Sequence, residues 1–320
     1  MFLPVKADFP LGRFPYLTVL VCLICSGVFM KQLTDWREYE AAVFAFCDKP
    51  RSNLKNMIFN ELAGQNQESC LEVIYGIARA PDHQEMIDKL AGEMRPLTGF
   101  SPEDSRIYVT EMLTEELRTY RIMVPEHPDD GLAYVTSTWN PVTMLASTFA
   151  HGGWSHIVFN LIFFIAFAAA VEVMIGSFYY ISAYVVIGLA AGAFSSISAL
   201  ASGEHFSTLG LSGVVTGMIG LFAFLLPHGR IRCYYWFIIF VGSVAVPAWA
   251  LALWYIGGDV YRLFAYDDHG VVNVMAHVSG GIAGYLFGVV FLRNVRWQMR
   301  MRQLELDRRA LMPTSGVGPA

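Results

Sequence analysis

Six long apolar runs constrain this chain more than any motif does, because each must be covered by lipid or by another run. They cover about residues 14–30, 157–175, 178–200, 209–226, 234–256 and 271–292. A bilayer core asks for roughly 20 such residues in a helix, since no water is there to satisfy exposed backbone, and a shorter run spans with modest thinning. The composition agrees: 55% hydrophobic, 15% charged and mean hydropathy +0.44 are too apolar for an ordinary soluble domain. The expected fold class is therefore all-α: a polytopic membrane protein with a six-helix bundle. Residues 14–30 follow Lys6 and Arg13 and could pass for a signal peptide, but no small-residue cleavage site follows. They are expected to be the first span.

Six spans place both termini on one side. The tail carries Arg293, Arg296, Arg300, Arg302, Arg308 and Arg309, and the turn after the fourth run carries Arg230 and Arg232. By the positive-inside rule both are expected to be cytoplasmic. The chain then divides into residues 1–30 (cytoplasmic N-terminus and first span), 31–138 (an extracytoplasmic insert), 139–293 (the core) and 294–320 (a basic cytoplasmic tail). The insert is polar and acidic with helical periodicity. Ser101-Pro102-Glu103-Asp104 within it reads as a helix start, with a capping serine, proline in the first turn and acids beside the helix dipole. Nucleic-acid binding is not expected, because the basic residues are few and lie beside membrane spans. Five cysteines show no metal spacing; Cys47 and Cys70 lie in the insert, where a disulfide and free thiols both remain open.

The topology runs spans two, four and six inward from the outer face, which sets three motifs at one depth. Span two opens with His151-Gly152-Gly153-Trp154-Ser155-His156 and reaches Asn160, span four with Gly210-Leu211-Ser212-Gly213, and span six with Ala276-His277-Val278-Ser279-Gly280. His156 and Asn160 are four apart and share a helix face. Gly-x-Ser-Gly alone also suits plain helix packing. Here, however, the serine opens a helix, where unsatisfied N–H groups and the dipole favour an anion. Gly213 and Gly217 form one small-residue face and Gly280, Gly284 and Gly288 another, which would let spans four and six approach closely. Ionisable residues at this depth are costly unless they face a partner or a wet cavity.

These residues resemble the rhomboid family of intramembrane serine proteases. The likeness covers residues 140–293 and the first span, with the insert outside it. It implies a rhomboid-like bundle in which Ser212 is the nucleophile and His277 the general base. His156, Asn160 and the Ser212 N–H would form the oxyanion hole, with His151, Gly210, Gly213 and Gly280 in support. Glu172, near the other face, is similar to a family packing residue. Two departures stand out: Thr216 replaces a tyrosine that in many members stacks on the imidazole, and Trp139-Asn140 stands where bacterial members often have Trp-Arg.

The resemblance implies single-span membrane proteins as substrates, cleaved near the outer face of the lipid bilayer. No metal or cofactor is called for, since Asn160 is a poor ligand and no third zinc ligand is near His151 and His156. Asp267 and Asp268, in the loop before His277, are not expected to complete a triad. A six-span core without presequence resembles members of the bacterial plasma membrane, which is the expected location. His83, His127, His205, His228 and His269 are expected to be solvated. The alternative function is a non-catalytic relative that binds or retains membrane clients, and the insert could recruit a soluble partner.

Overall fold

The computed structural model of the chain describes residues 2–7, 12–64, 69–80, 82–203, 205–237, 240–265 and 273–311. They form two compact units, residues 31–131 and residues 1–30 with 132–320. Strand β1 (Phe2–Ala7) opens the chain, and α1 (Tyr16–Cys47) runs from the larger unit into the smaller.

The smaller unit adds α2 (Asn53–Leu62), α3 (Ser69–Arg79), α4 (His83–Glu93) and α5 (Pro102–Met123). Short helices need help at their ends, because the first N–H groups lack partners. Ser52, Asp82 and Ser101 each supply a capping oxygen, and Pro102, Glu103 and Asp104 fill the first turn of α5 as the sequence predicts. Each cap contributes about 1 kcal/mol. The core is built from one face of every helix, including Phe46, Ile58, Ile77, Ile87 and Leu113. Cys47 and Cys70 are joined as a disulfide, which ties the end of α1 to the start of α3. Glu116, largely buried, is held by Arg51 at 3.2 Å and Lys55 at 2.8 Å, so its charge is matched rather than stranded.

His127 is not solvated as expected. Its side chain is 7% exposed, with the rings of Trp36 and Tyr39 edge-on at 4.6 and 5.2 Å. The turn that follows folds it inward, and Nδ1 accepts the Asp129 N–H at 3.3 Å. The remaining ring proton is then on Nε2, which has no hydrogen-bond partner among the described residues. Burial, reinforced by Arg79, pushes its pKa below the ordinary 6.5, against the weaker pull of Asp129 and Asp130.

In the larger unit, β2 (Tyr134–Val135) leads to α6 (Pro141–Ala146), a single 3-10 turn and α7 (Trp154–Ser202). Then come β3 (Ser207–Thr208), α8 (Ser212–Leu225), β4 (Arg230–Phe237), β5 (Phe240–Pro247), α9 (Ala248–Ala265), α10 (Val274–Phe291) and α11 (Arg293–Leu311). Among the described residues α1, α7 and α10 are long and apolar enough to cross a membrane, and α8 is a shorter apolar helix. Strands β2 and β3 pair antiparallel, Tyr134 opposite Thr208.

Helix α7 is two helices end to end, broken at Gly176, whose φ of +81° favours a residue without Cβ. The break strips helical partners from the carbonyls just before it. Arg13 takes over: its Nη2 donates to the carbonyls of Glu172 and Val173 at 3.1 and 3.0 Å. In return the Glu172 carboxylate accepts the Leu17 and Thr18 N–H groups at 3.0 and 2.7 Å, and the Thr18 hydroxyl at 2.8 Å. Each helix end satisfies the other's orphan groups, where water could not. Glu172 is thus a helix cap.

The fifth run departs from expectation. Residues 234–237 and 240–247 are strand rather than helix: β4 and β5 pair antiparallel, and β1 adds to them in the order β1-β4-β5. The fold is therefore mostly helical rather than all-α. Exposed Arg230, Arg232 and Tyr234 alternate with buried Ile231 and Cys233, a period of two that fits a strand. The aromatic and β-branched residues around them favour the same choice. Helix resumes just after Pro247, which cannot serve a helix interior but readily precedes one.

The tightest packing joins α8 to α10. A methyl group at Gly280 would fall on the Gly213 carbonyl, one at Gly284 on that of Gly217, and one at Gly220 on that of Gly281. Gly288, expected on the same face, instead meets the ring of Phe224. Ile187 and Ala191 of α7 close over Gly217 and Gly213 from a third side.

Alanine at Gly284 gains about 1 kcal/mol of helix propensity, yet it must push a backbone carbonyl aside, an overpacking cost of about 1–3 kcal/mol. Gly284→Ala is therefore expected to lower the unfolding temperature of the detergent-solubilised protein. Gly27→Ala, at a helical site with nothing within 4 Å of the added carbon, should leave it unchanged or raise it. For His127 the sign follows from its depressed pKa: the unfolded chain takes up the proton first. Stability of the smaller unit should be full above pH 6.5 and decline as pH falls below it. Melting followed by Trp36 fluorescence should show that slope flattened in His127→Gln.

Candidate active site

Ser212 is the first residue of α8, and the two residues before it explain how it is presented. Gly210 adopts φ +124°, closed to side-chain-bearing residues without strain, and its N–H donates to the Ser147 carbonyl at 2.9 Å. Its missing side chain also makes room for His156. A Cβ at Gly210 would stand 2.8 Å from both Cε1 and Nε2 of that ring.

His156 occupies the first turn of α7, with its ring centroid 5.2 Å from that of buried His151. Its Nδ1 accepts the Gly152 N–H at 3.3 Å, which leaves the ring proton on Nε2, the atom lying against Gly210. One turn on, buried Asn160 donates through Nδ2 to the His156 carbonyl at 2.9 Å. Both side chains therefore lie on the face of α7 that meets the start of α8 or the turn beside it.

Helix α10 begins at Val274, so His277 lies in its first turn, nearer the helix end than the sequence suggests. Asn273 fixes that end. Its Oδ1 accepts the Ala276 N–H at 3.0 Å, and its Nδ2 donates to Ser195 of α7 at 2.7 Å and lies 3.2 Å from the Thr208 hydroxyl of β3. Thr216, where many family members have tyrosine, lies in the seam. Its hydroxyl is 2.9 Å from the carbonyls of Gly213 and His277 and 3.2 Å from that of Ser212. Having one proton, it donates to one at a time, yet it spans the backbones of the serine and histidine helices. No hydrogen bond joins Ser212 Oγ to the His277 ring among the described residues, a separation that free enzymes often close on binding substrate.

The ring of His277 is held from a direction the sequence did not suggest. Its Nδ1 is 2.9 Å from Oδ2 of Asp259 on α9, and the two side chains are 16% and 15% exposed. Asp259 follows Gly257-Gly258, a pair that reads as loop, so it passed for a residue outside the span. A carboxylate within an apolar helix is costly without a partner, and that cost was the available signal. Asp267 and Asp268 lie outside the described residues.

Residues 137–294 match the family model described as Rhomboid domain. The chain is 28% identical over 180 residues to "Rhomboid protein 1, mitochondrial" of Saccharomyces cerevisiae, covering 54% of this chain and 47% of the yeast protein. It is 23% identical over 189 residues to "Presenilin-associated rhomboid-like protein, mitochondrial" of Homo sapiens, covering 55% and 46%. The chain thus spans about half the length of the relatives it matches. Both are mitochondrial by name, which overturns the expected bacterial plasma membrane and the cytoplasmic termini that went with it. The error came from reading an address out of a span count that different membranes can share. Residues 137–294 are therefore a domain of the rhomboid family.

Proposed function

We propose that the chain is an intramembrane serine endopeptidase acting on membrane-protein substrates within the bilayer, in a mitochondrial membrane as the names of its relatives suggest. The observation that carries this reading is the convergence at one end of the bundle. There, Gly210 lets the His156 ring in against the turn that leads to Ser212, and the glycine seam with Thr216 brings the His277 helix alongside. The six-span bundle belongs to the same proposal. Its spans would be α1, the two halves of α7, α8, α9 and α10.

Helices in a bilayer keep their peptide carbonyls occupied, so a substrate must unwind locally before one is exposed. Single-span proteins with helix-breaking residues near that face meet the requirement. Ser212 Oγ attacks the exposed carbonyl carbon as His277 takes its proton. The oxygen then carries the negative charge, facing the Ser212 N–H at the helix start and the Nε2–H of His156 and Nδ2 of Asn160. Collapse breaks the C–N bond, His277 returns the proton to the leaving amine, and water releases the acyl group by the same route. An oxyanion donor contributes about 3–4 kcal/mol to such a transition state.

A fluorophosphonate probe should label the purified protein at Ser212 and fail to label Ser212→Ala. Asn160→Ala should still fold but cleave a transmembrane substrate with kcat lower by about 10²–10³. If the wild type labels no more than Ser212→Ala and no fragments are shed, the chain is instead a relative that binds clients without cutting them.

A further inference from the structure

Resting on the protease reading, we infer that Asp259 is a positioning residue that orients His277, so that the site works as a serine–histidine–aspartate triad rather than a pair. The alignment of α9 with α10 supports it. Ile256 packs its side chain where a Cβ of Gly281 would be, which pins the two helices together at that level. Asp259 lies nearly one turn beyond Ile256, and His277 one turn before Gly281. Helices touching at both levels run antiparallel, so the carboxylate is delivered to the imidazole by packing. Phe163 of α7 stacks edge-on to Tyr255 at 5.1 Å and holds α9 from the other side.

Energetics favour a role beyond a surface ion pair. Asp259 lies in the second half of an apolar helix, whose surroundings disfavour a charge. Among the described residues the other charged group facing it is Arg262, at 3.9 Å and with its side chain 43% exposed, too long and too wet to compensate. The His277 contact at 2.9 Å is shorter and drier.

The chemical consequence is tautomeric. With Nδ1–H donating to Asp259, the lone pair is on Nε2, the atom that must take the serine proton. An asparagine in its place can donate to Nδ1 instead, moving the proton to Nε2 and disabling the base while preserving shape.

The test uses the full chain in proteoliposomes with a transmembrane substrate, comparing wild type, Ser212→Ala, Asp259→Asn and Asp259→Glu. Asp259→Asn should lower kcat by at least about tenfold, and by up to about 10⁴-fold if orientation is as demanding as in soluble triads. KM and unfolding temperature should be unchanged, and Asp259→Glu should recover part of the lost kcat. Wild-type kcat in Asp259→Asn, or a loss that tracks a lowered unfolding temperature and is not recovered by Glu, overturns the assignment while leaving the protease reading intact. Wild-type activity that survives in Ser212→Ala overturns both.

Discussion

Helices α8 and α10 approach until the backbone of one fills the space a side chain of the other would need, and every functional distance at this end of the molecule depends on it. In lipid there is little hydrophobic gain in bringing two apolar helices together, so contact must come from shape and weak polar attraction. Interlocked glycines supply the shape: Gly213 against Gly280, Gly217 against Gly284, Gly220 against Gly281. A side chain in any of these places would push the serine helix away from the histidine helix. The cost of so many glycines is lost helix propensity, which a buried helix held on several sides can bear.

A second constraint is that polar groups here must be answered by other protein groups. Arg13, Thr18 and Glu172 answer one another where α7 breaks and α1 begins. At the opposite end Asn273 caps α10 while bonding α7 and approaching β3, and Tyr134 and Ser196 bond each other and anchor β2 to α7. Because each bond joins elements distant in sequence, the polar groups that need satisfying are also what fixes the helices in register.

Legibility in the sequence followed the locality of the signal. The Gly-x-Ser-Gly turn, the His156–Asn160 spacing and the glycine faces are each local signals, and the glycine faces do meet in the structure. The cap at Ser101 is equally local. The strand pair of β4 and β5 was missed because its residues are apolar enough to satisfy a span count, and only the alternation of Arg230, Ile231, Arg232 and Cys233 betrays the period. Asp259 was missed because its meaning depends on which turn of α9 faces which turn of α10, and no stretch of sequence contains that. His127 was misjudged for the same reason: Trp36 and Tyr39 cover it from nearly a hundred residues away.

Thr216 and Asp259 together make physical sense of the departure from the family tyrosine. An imidazole acting as a base needs its plane fixed, and a stacked phenol ring can do that by contact alone. Thr216 has no ring, and its hydroxyl is taken up by backbone carbonyls, including that of His277. It therefore steadies the main chain of the histidine and leaves the side chain free to turn about its own bonds. A hydrogen bond to Nδ1 removes that freedom, and it also selects which nitrogen holds the proton, which stacking cannot do. The carboxylate at Asp259 thus answers a need that the threonine creates, with a directional bond in place of a flat surface.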